Sequence, residues 1–459
     1  MIQKTLKQLA EIIKIDNDIS KFQQTMISGI CIDSRKLEKG NLFVPLKGEN
    51  VDGHKFVEAA IKNGAAAALW QKDMPNPPLH LPLLIVEDTL LAIQQLARSY
   101  RKQLNIKVIG ITGSNGKTTT KDMTAHLLSL KYKVQKTEGN YNNHLGLPLT
   151  ILQLREDTEF AVLEMGMNHP GEIDFLTKLA LPDAVVITNI GESHLENLGS
   201  RAGIAAAKLE IMNGLQDNGL VVYYGDELLL KEYFDQYYGN AVVKTFGREK
   251  SNDLFPNDME QGEKGNYFSI NKQEGNFYLP VLGIHNVLNA LAAMQVAHHF
   301  HIPFAIMNEG FAHLKLTGMR MELVKGAKGE KIINDAYNAS PTSMKAAFEL
   351  IESMKGYKRK IVVLGDILEL GTETEAYHEA IGNLLDPDQI DYVFTYGKLG
   401  EKIADGAKKS FPANRLFSFL EKEVLLITEL KARTTGDEII LVKASRAMKL
   451  EQVVDALTK

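Results

Sequence analysis

An α/β chain of three domains is what the sequence predicts, and three observations lead there. Short β-branched runs alternate with helical periodicity along most of the chain, the pattern of proteins built on parallel sheets. The texture of that alternation changes twice, near residues 103 and 317. The 459 residues, at about 150 per domain, ask for about three cores.

The first segment, 1–103, mixes turn-rich stretches (37–41 and 48–54) with an alanine-rich helix expected near 56–68, and reads as a small N-terminal α/β domain. In 104–317 a β-branched run from Ile106 ends in glycine and leads into a helix with Met123, Leu127 and Leu130 at i, i+4 and i+7. Strands are predicted at 159–163, 184–188 and 219–223, hairpin-like texture over 244–281, and a closing helix from His285 to His299. In 318–459 strands near 331–335, 360–364, 391–396 and 438–443 alternate with helices near 342–354, 373–385, 421–431 and 449–457, a Rossmann-like pattern.

Composition narrows the classes. With 44% hydrophobic and 24% charged residues, 36 glycines and 14 prolines, the chain is neither collagen-like, disordered nor a disulfide scaffold. The formal charge of −5 supplies no global basic field, so neither a nucleic-acid partner nor a membrane surface is expected. No apolar run reaches the length of a membrane span, and a cytoplasmic monomer is expected. Cys31 is the only cysteine, which rules out an internal disulfide; it reads as a small core residue.

The sharpest local signal is Gly110-Ile-Thr-Gly113-Ser114-Asn115-Gly116-Lys117-Thr118-Thr119, between a strand and a helix. Glycines let backbone N–H groups face phosphate oxygens and the helix start adds positive dipole. Lys117 supplies charge for the outer phosphates, and Thr118 can ligate Mg²⁺. Five residues, not four, separate Gly110 from Gly116, so the assignment rests on the strand-loop-helix context. It makes the central segment P-loop ATPase-like. Glu164 closes an apolar strand, at the end where ligands of such sheets bind, and is a candidate Mg²⁺ ligand or a helix-capping carboxylate. His194 follows the next strand; read alone it is a structural histidine before it is a metal ligand. Lys208, in Ala-Ala-Ala-Lys-Leu-Glu-Ile, reads by propensity as an exposed helix lysine.

Taken in order, these segments resemble the Mur ligase family of ATP-dependent amide-forming enzymes of peptidoglycan precursor synthesis. The match continues through Gly139-Asn140-Tyr-Asn-Asn143-His144-Leu-Gly-Leu-Pro148, Gly283-Ile-His-Asn286-Val-Leu-Asn289, Arg320-Met-Glu, Asp335-Ala-Tyr-Asn338-Ala-Ser340-Pro-Thr-Ser-Met344, Leu364-Gly-Asp-Ile-Leu-Glu-Leu-Gly371 and Lys443-Ala-Ser445-Arg-Ala-Met448. The resemblance implies ATP and Mg²⁺ as cofactors, Glu164 and His194 at the metal, and a CO₂-derived carbamate on Lys208 as a second metal ligand. It implies that Asn286 faces the adenine, Arg320 the phosphates and Asp335 the ribose, with the third domain closing over nucleotide held by the second. Tyr337-Asn338-Ala-Ser340-Pro favours D-alanyl-D-alanine as the amine, held near Asn338, Ser340 and Ser445, although Ser340 stands where asparagine is more usual. His144, near Asn140 and Asn143, stands where an acidic residue is more usual. Asp33-Ser34-Arg35 and Gly48-Glu49-Asn50-Val-Asp-Gly-His54 are similar to the segment that holds a UDP-sugar, so UDP-N-acetylmuramoyl-tripeptide is the implied carboxylate donor. Another Mur ligase or a folylpolyglutamate synthetase-like enzyme is the alternative; a nucleic-acid motor or a non-catalytic nucleotide-binding protein is the reading from a different class.

Overall fold

A computed structural model describes residues 1–48, 51–421 and 423–459. Glu49 and Asn50, of the segment expected to hold the sugar, lie outside the described residues.

Near the N-terminus an antiparallel pair, Gln3–Thr5 with Met26–Ser28, adjoins a parallel sheet ordered Ile30–Cys31, Leu42–Phe43, Ala67–Gln71, Leu83–Val86. The alanine-rich helix is shorter than expected. It spans Val57–Lys62 and stops at Asn63-Gly64, where Gly64 takes φ +114°. Ala67 and Ala68 are fully buried strand residues instead, so burial on both faces of a sheet overrides alanine's helical propensity. Cys31 is only half-buried on its edge strand, and desolvation pushes its thiol pKa up. The helix Thr89–Gln103, capped by Asp88, leads out of this region and is tied to the next: the Tyr100 hydroxyl donates to the Leu154 carbonyl at 2.8 Å and Arg101 Nε to that of Ala180 at 2.6 Å.

The central sheet is six-stranded and parallel, ordered Val242–Phe246, Leu220–Tyr224, Ala184–Ile187, Lys107–Thr112, Phe160–Glu164, Val134–Lys136. Its middle strand, Lys107–Thr112, is buried apart from Lys107, and helices Lys117–Leu128 and His285–His299 pack together over one face. Strand order reverses at that middle strand, and a crevice at the carboxyl ends follows from such a reversal. Residues 244–246 were expected in hairpins but pair in this parallel sheet; Phe246 is 1% exposed, and core burial fixes the strand. The antiparallel texture begins later, at Pro256–Gln261, Asn266–Ile270 and Gln273–Leu279.

Beyond Thr317 lies a second six-stranded sheet: Glu322–Lys325 antiparallel at one edge, then Lys331–Asp335, Glu438–Lys443, Arg359–Gly365, Tyr392–Tyr396 and Leu416–Phe419 in parallel. The connection is anchored where Thr317 donates through N–H and hydroxyl to Asp122 Oδ2, at 2.8 and 2.9 Å. Lys136 Nζ holds the other oxygen of Asp122 at 2.6 Å. Met319 and Met321 then turn the chain at φ +61° and +51°. Among the described residues, no helix is long and apolar enough to cross a membrane.

Candidate active site

The strand Lys107–Thr112 delivers the glycine loop to the crevice, and the loop's shape is set by what touches it. At Gly113 (φ +151°) a β-carbon would stand 1.8 Å from Thr188 Oγ1, and at Gly116 (φ +79°) 2.3 Å from Asn289 Oδ1, so neither position admits a side chain. The loop after the next strand braces it: Ser114 N–H donates to the Asn189 carbonyl at 3.0 Å, Asn115 N–H to Asn189 Oδ1 at 2.9 Å, and Gly191 N–H to Ser114 Oγ at 2.8 Å. Lys117 Nζ donates to the Gly113 carbonyl at 2.7 Å. Desolvation lowers its pKa, with Glu164 opposing the shift and Arg320 adding to it.

A cavity of about 620 Å³ opens over this loop. The central region lines it with Ser114, Asn115, Gly116, Lys117, Thr118, Thr119, Asn143, Glu164, His194 and Asn286; the C-terminal region adds Arg320, Asp335 and Asn338. Glu164 is 2% exposed; Asn142 Nδ2 donates to its Oε1 at 2.8 Å, while Oε2 is buried without a partner. Asn115 Nδ2 and Arg320 Nε are likewise buried and unpartnered, and the Arg320 guanidinium lies 4.1 Å over the Tyr337 ring. Buried polar groups are nearly always satisfied, so orphans such as these on residues that line the cavity mark a surface built for a polar ligand. The carboxylate oxygen suits a cation and the two N–H groups suit anionic oxygens.

Lys208 overturns the reading from propensity. The helix Arg201–Leu209 turns it inward beside Ile204 and Ala207, and it is 1% exposed. Desolvation, then the charge of Lys117, lowers its pKa well below that of an ordinary lysine. Helix propensity counts local preference and is blind to which face the tertiary structure buries. His194 stands at φ +64° with Nδ1 2.5 Å from Glu369 Oε2, close in distance but off the line of a straight hydrogen bond.

Other expected residues are used by the fold. The Asn286 side-chain amide donates to the Leu282 carbonyl at 2.7 Å and accepts from Asn289 at 2.8 Å. Asp335 and Lys443 are register partners at adjacent strand ends and form an ion pair. Ser340 Oγ caps the helix Pro341–Ser353 and reaches Asn115 Oδ1 at 3.2 Å; Ser445 Oγ accepts from Leu368 N–H at 2.9 Å and does not line the cavity. Asn143 Oδ1 accepts from Gly146 N–H at 2.9 Å, and Asn140 lies outside the cavity on an exposed turn. Ser34 and Arg35 do not line it either, and the Arg35 guanidinium lies on Asp33 at 2.8 Å.

Cavity residues that sequence reasoning did not single out include Asn142, His285, Tyr337 and Lys443. Each sits inside a segment already quoted, so the signal was there without a role attached. Burial holds the His285 imidazole pKa down to about 4, against the pull of Asp335.

A phosphate loop facing a buried carboxylate, with an arginine from a second α/β unit lining the same cavity, defines an ATP-using enzyme whose site lies between two regions. Family models agree along the chain: "Mur ligase family, catalytic domain" matches residues 26–101, "Mur ligase middle domain" 111–297 and "Mur ligase, glutamate ligase domain" 319–446. The UDP-N-acetylmuramoyl-tripeptide--D-alanyl-D-alanine ligase of Bacillus subtilis strain 168 is 52% identical, the alignment covering 100% of this chain and 99% of that one. Among solved structures, MurF from Acinetobacter baumannii superposes with TM-score 0.88 at 31% identity, covering 100% of this chain and 99% of that chain. The MurF ligase from Thermotoga maritima in complex with ADP gives 0.81 at 29%, covering 94% and 97%. The chain belongs to the Mur ligase family and is an ATP-dependent amide ligase.

Proposed function

We propose that this enzyme joins the terminal carboxylate of UDP-N-acetylmuramoyl-tripeptide to the amine of D-alanyl-D-alanine, converting ATP to ADP and phosphate in the cytoplasm, as a monomer. The observation that carries the reading is the 52% identity, end to end, with a ligase named for those two substrates. Three roles divide along the chain: 1–103 for the UDP-sugar, 104–317 for ATP and 318–459 for the dipeptide.

A carboxylate is a poor electrophile. Its oxygen attacks the γ-phosphorus, the bond to ADP breaks, and an acyl phosphate forms. The dipeptide nitrogen then attacks the acyl carbon, loses a proton, and phosphate leaves from the tetrahedral intermediate. Lys117 and Arg320 face the charge that builds on the transferring phosphoryl group, the largest electrostatic demand of the reaction. Asn286, with one N–H and one lone pair left over, would meet the adenine, and Asp335 the ribose. Closure between the units excludes water from the acyl phosphate.

The chemistry of the donors fits Mg²⁺. The unpartnered Glu164 Oε2 and the Thr118 hydroxyl would hold one ion. That suits an ion that keeps water and phosphate oxygens in its shell. When bound, it supplies charge neutralisation across the phosphates. Lys208 and His194 would hold a second ion, Lys208 as a carbamate. Support for that comes from the burial of Lys208 and its lowered pKa, since only a neutral amine attacks CO₂.

Product identification by mass tests the reading: the chain is incubated with ATP, Mg²⁺, the UDP-muramoyl-tripeptide and a panel of amines. The expected product carries D-alanyl-D-alanine. Turnover only with a single amino acid or glutamate would move the chain to another Mur ligase or to a folylpolyglutamate synthetase-like activity.

A further inference from the structure

Arg320 reaches the cavity from a strained stretch of chain. Its neighbours Met319 and Met321 hold left-handed backbones, at φ +61° and +51°. Each is pinned by a carboxylate: Met319 N–H donates to Glu322 Oε2 at 2.9 Å and Met321 N–H to Asp335 Oδ1 at 3.2 Å. Residues with a β-carbon avoid that conformation unless their surroundings over-determine it, and such residues gather at functional sites. The strand that follows, Glu322–Lys325, runs antiparallel to Lys331–Asp335 with Glu322 opposite Asn334. That register brings the residues just before Glu322 level with those just after Asp335, and so sets Arg320 beside Tyr337.

The Arg320 guanidinium lies 4.1 Å over the Tyr337 ring, both residues line the cavity, and the buried Nε has no partner. Among the described residues no carboxylate forms an ion pair with Arg320. Arg446 differs: its guanidinium lies 6.0 Å from the same ring but is paired with Glu451 at 2.9 Å. The two ways of holding an arginine differ in what they leave free. A carboxylate offsets the charge and takes up N–H groups, which are then lost to a ligand. A ring face attracts the cation through its quadrupole, fixes the plane of the guanidinium and takes none of its in-plane N–H donors.

We propose that Tyr337 is a positioning residue for the reaction: its ring face holds the Arg320 guanidinium in place for the phosphates of the nucleotide, with charge and N–H groups uncommitted. The inference rests on reading the cavity as the nucleotide site with Arg320 at the phosphates. The role belongs to the electron-rich ring face and not to the phenol oxygen, which separates it from ordinary packing.

The test uses the full chain with Mg²⁺ and a non-hydrolysable ATP analogue, whose Kd is measured by calorimetry, beside kcat for amide formation. Tyr337→Leu, which keeps an apolar contact without a π face, should raise Kd and lower kcat by about 2- to 30-fold, the range of a cation–π contact from exposed to desolvated. Tyr337→Phe should stay near the parent. Replacing Tyr337 by mono-, di- and trifluorinated phenylalanine should raise Kd and lower kcat in steps, because fluorine withdraws density from the ring face at little change in size. In an Arg320→Ala background the same replacements should have no further effect. A flat fluorine series overturns the proposal, and so does a Tyr337→Leu penalty that persists in Arg320→Ala. If Arg320→Ala alone leaves the Kd of the analogue unchanged, the reading of Arg320 at the phosphates fails and the proposal falls with it. If Arg320→Ala weakens binding but the fluorine series is flat, only the role of Tyr337 fails. The Kd arm needs neither carboxylate donor nor amine, so an error in those substrates leaves it intact.

Discussion

The phosphate loop and the turn at Asn338–Ser340, the proposed acceptor side, treat their polar atoms in opposite ways. Around the loop, backbone groups are bonded to the 188–191 segment while Glu164 Oε2, Asn115 Nδ2 and Arg320 Nε stay buried without partners. At the turn, Ser340 Oγ is taken by its own helix and by Asn115, Lys443 Nζ holds the Asn338 carbonyl at 3.0 Å, and Ser445 Oγ is taken by Leu368. A rigid frame with orphaned buried groups is preorganised for a ligand of fixed shape and high charge, such as a polyphosphate. A turn whose hydroxyl already serves the fold would recognise a ligand, if it holds the proposed dipeptide, through what remains exposed, chiefly the Asn338 side chain.

The largest effect should come from the loop. Lys117→Ala is expected to lower kcat for amide formation by roughly 10²- to 10³-fold, with the thermal midpoint little changed. Near-normal turnover would move the ATP site elsewhere and collapse the contrast between the two regions.

Lys208 comes next, because it is buried and feels the charge of Lys117, although it does not itself line the cavity. Lys208→Ala should lower turnover sharply, though by less than the loop substitution, while the chain stays folded, and short carboxylic acids should restore part of it by occupying the vacated space. The parent should lose activity when CO₂ and bicarbonate are stripped at alkaline pH and regain it on their return. A Lys208→Ala enzyme that works and ignores bicarbonate would remove the carbamate and leave the ligase assignment standing.

On the acceptor side the effect should be smaller and of another kind. Asn338→Ala is expected to raise the KM for D-alanyl-D-alanine more than that for ATP, since on the proposed reading the residue binds the dipeptide and its loss removes binding shared by ground and transition states. Equal changes in both would take Asn338 out of the acceptor pocket.

The same contrast explains what was legible in the sequence. The helix at 285–299 and the strands at 331–335 and 438–443 match the predicted bounds, because each buries most of its residues and its apolar positions show in the sequence. Short edge strands such as Val134–Lys136 and Leu416–Phe419 escaped: few residues, half-exposed, carry no period to read. In the site, Gly113, Gly116 and Lys117 announce themselves because a phosphate loop is local in sequence. Lys208 does not, because what matters about it is which face the tertiary structure buries. His285 was passed over for the same reason: its surroundings come from two sheets.

His285 sits at the seam of the two regions, on the central helix His285–His299 but facing Asp335 and Lys443 of the C-terminal sheet, and it carries the smallest effect. Its folded pKa of about 4 lies below the ordinary 6.5 because burial disfavours the charged ring. The unfolded chain takes up this proton near pH 6.5, whereas the folded one waits until about pH 4. Between those values the unfolded state holds more protons, so stability from this group is fully present above pH 6.5 and is lost as pH falls toward 4. The shift bounds that loss at about 3 kcal/mol, and access from the cavity makes the true figure smaller. His285→Gln, a non-titrating replacement, should therefore flatten the fall in denaturation free energy between pH 7 and 4. At pH 7.5 it should cost only the packing change. Urea titrations of both chains at several pH values measure the two slopes. If they run parallel, the imidazole is not held neutral at the seam, and the C-terminal sheet is not packed against it in solution as it is here.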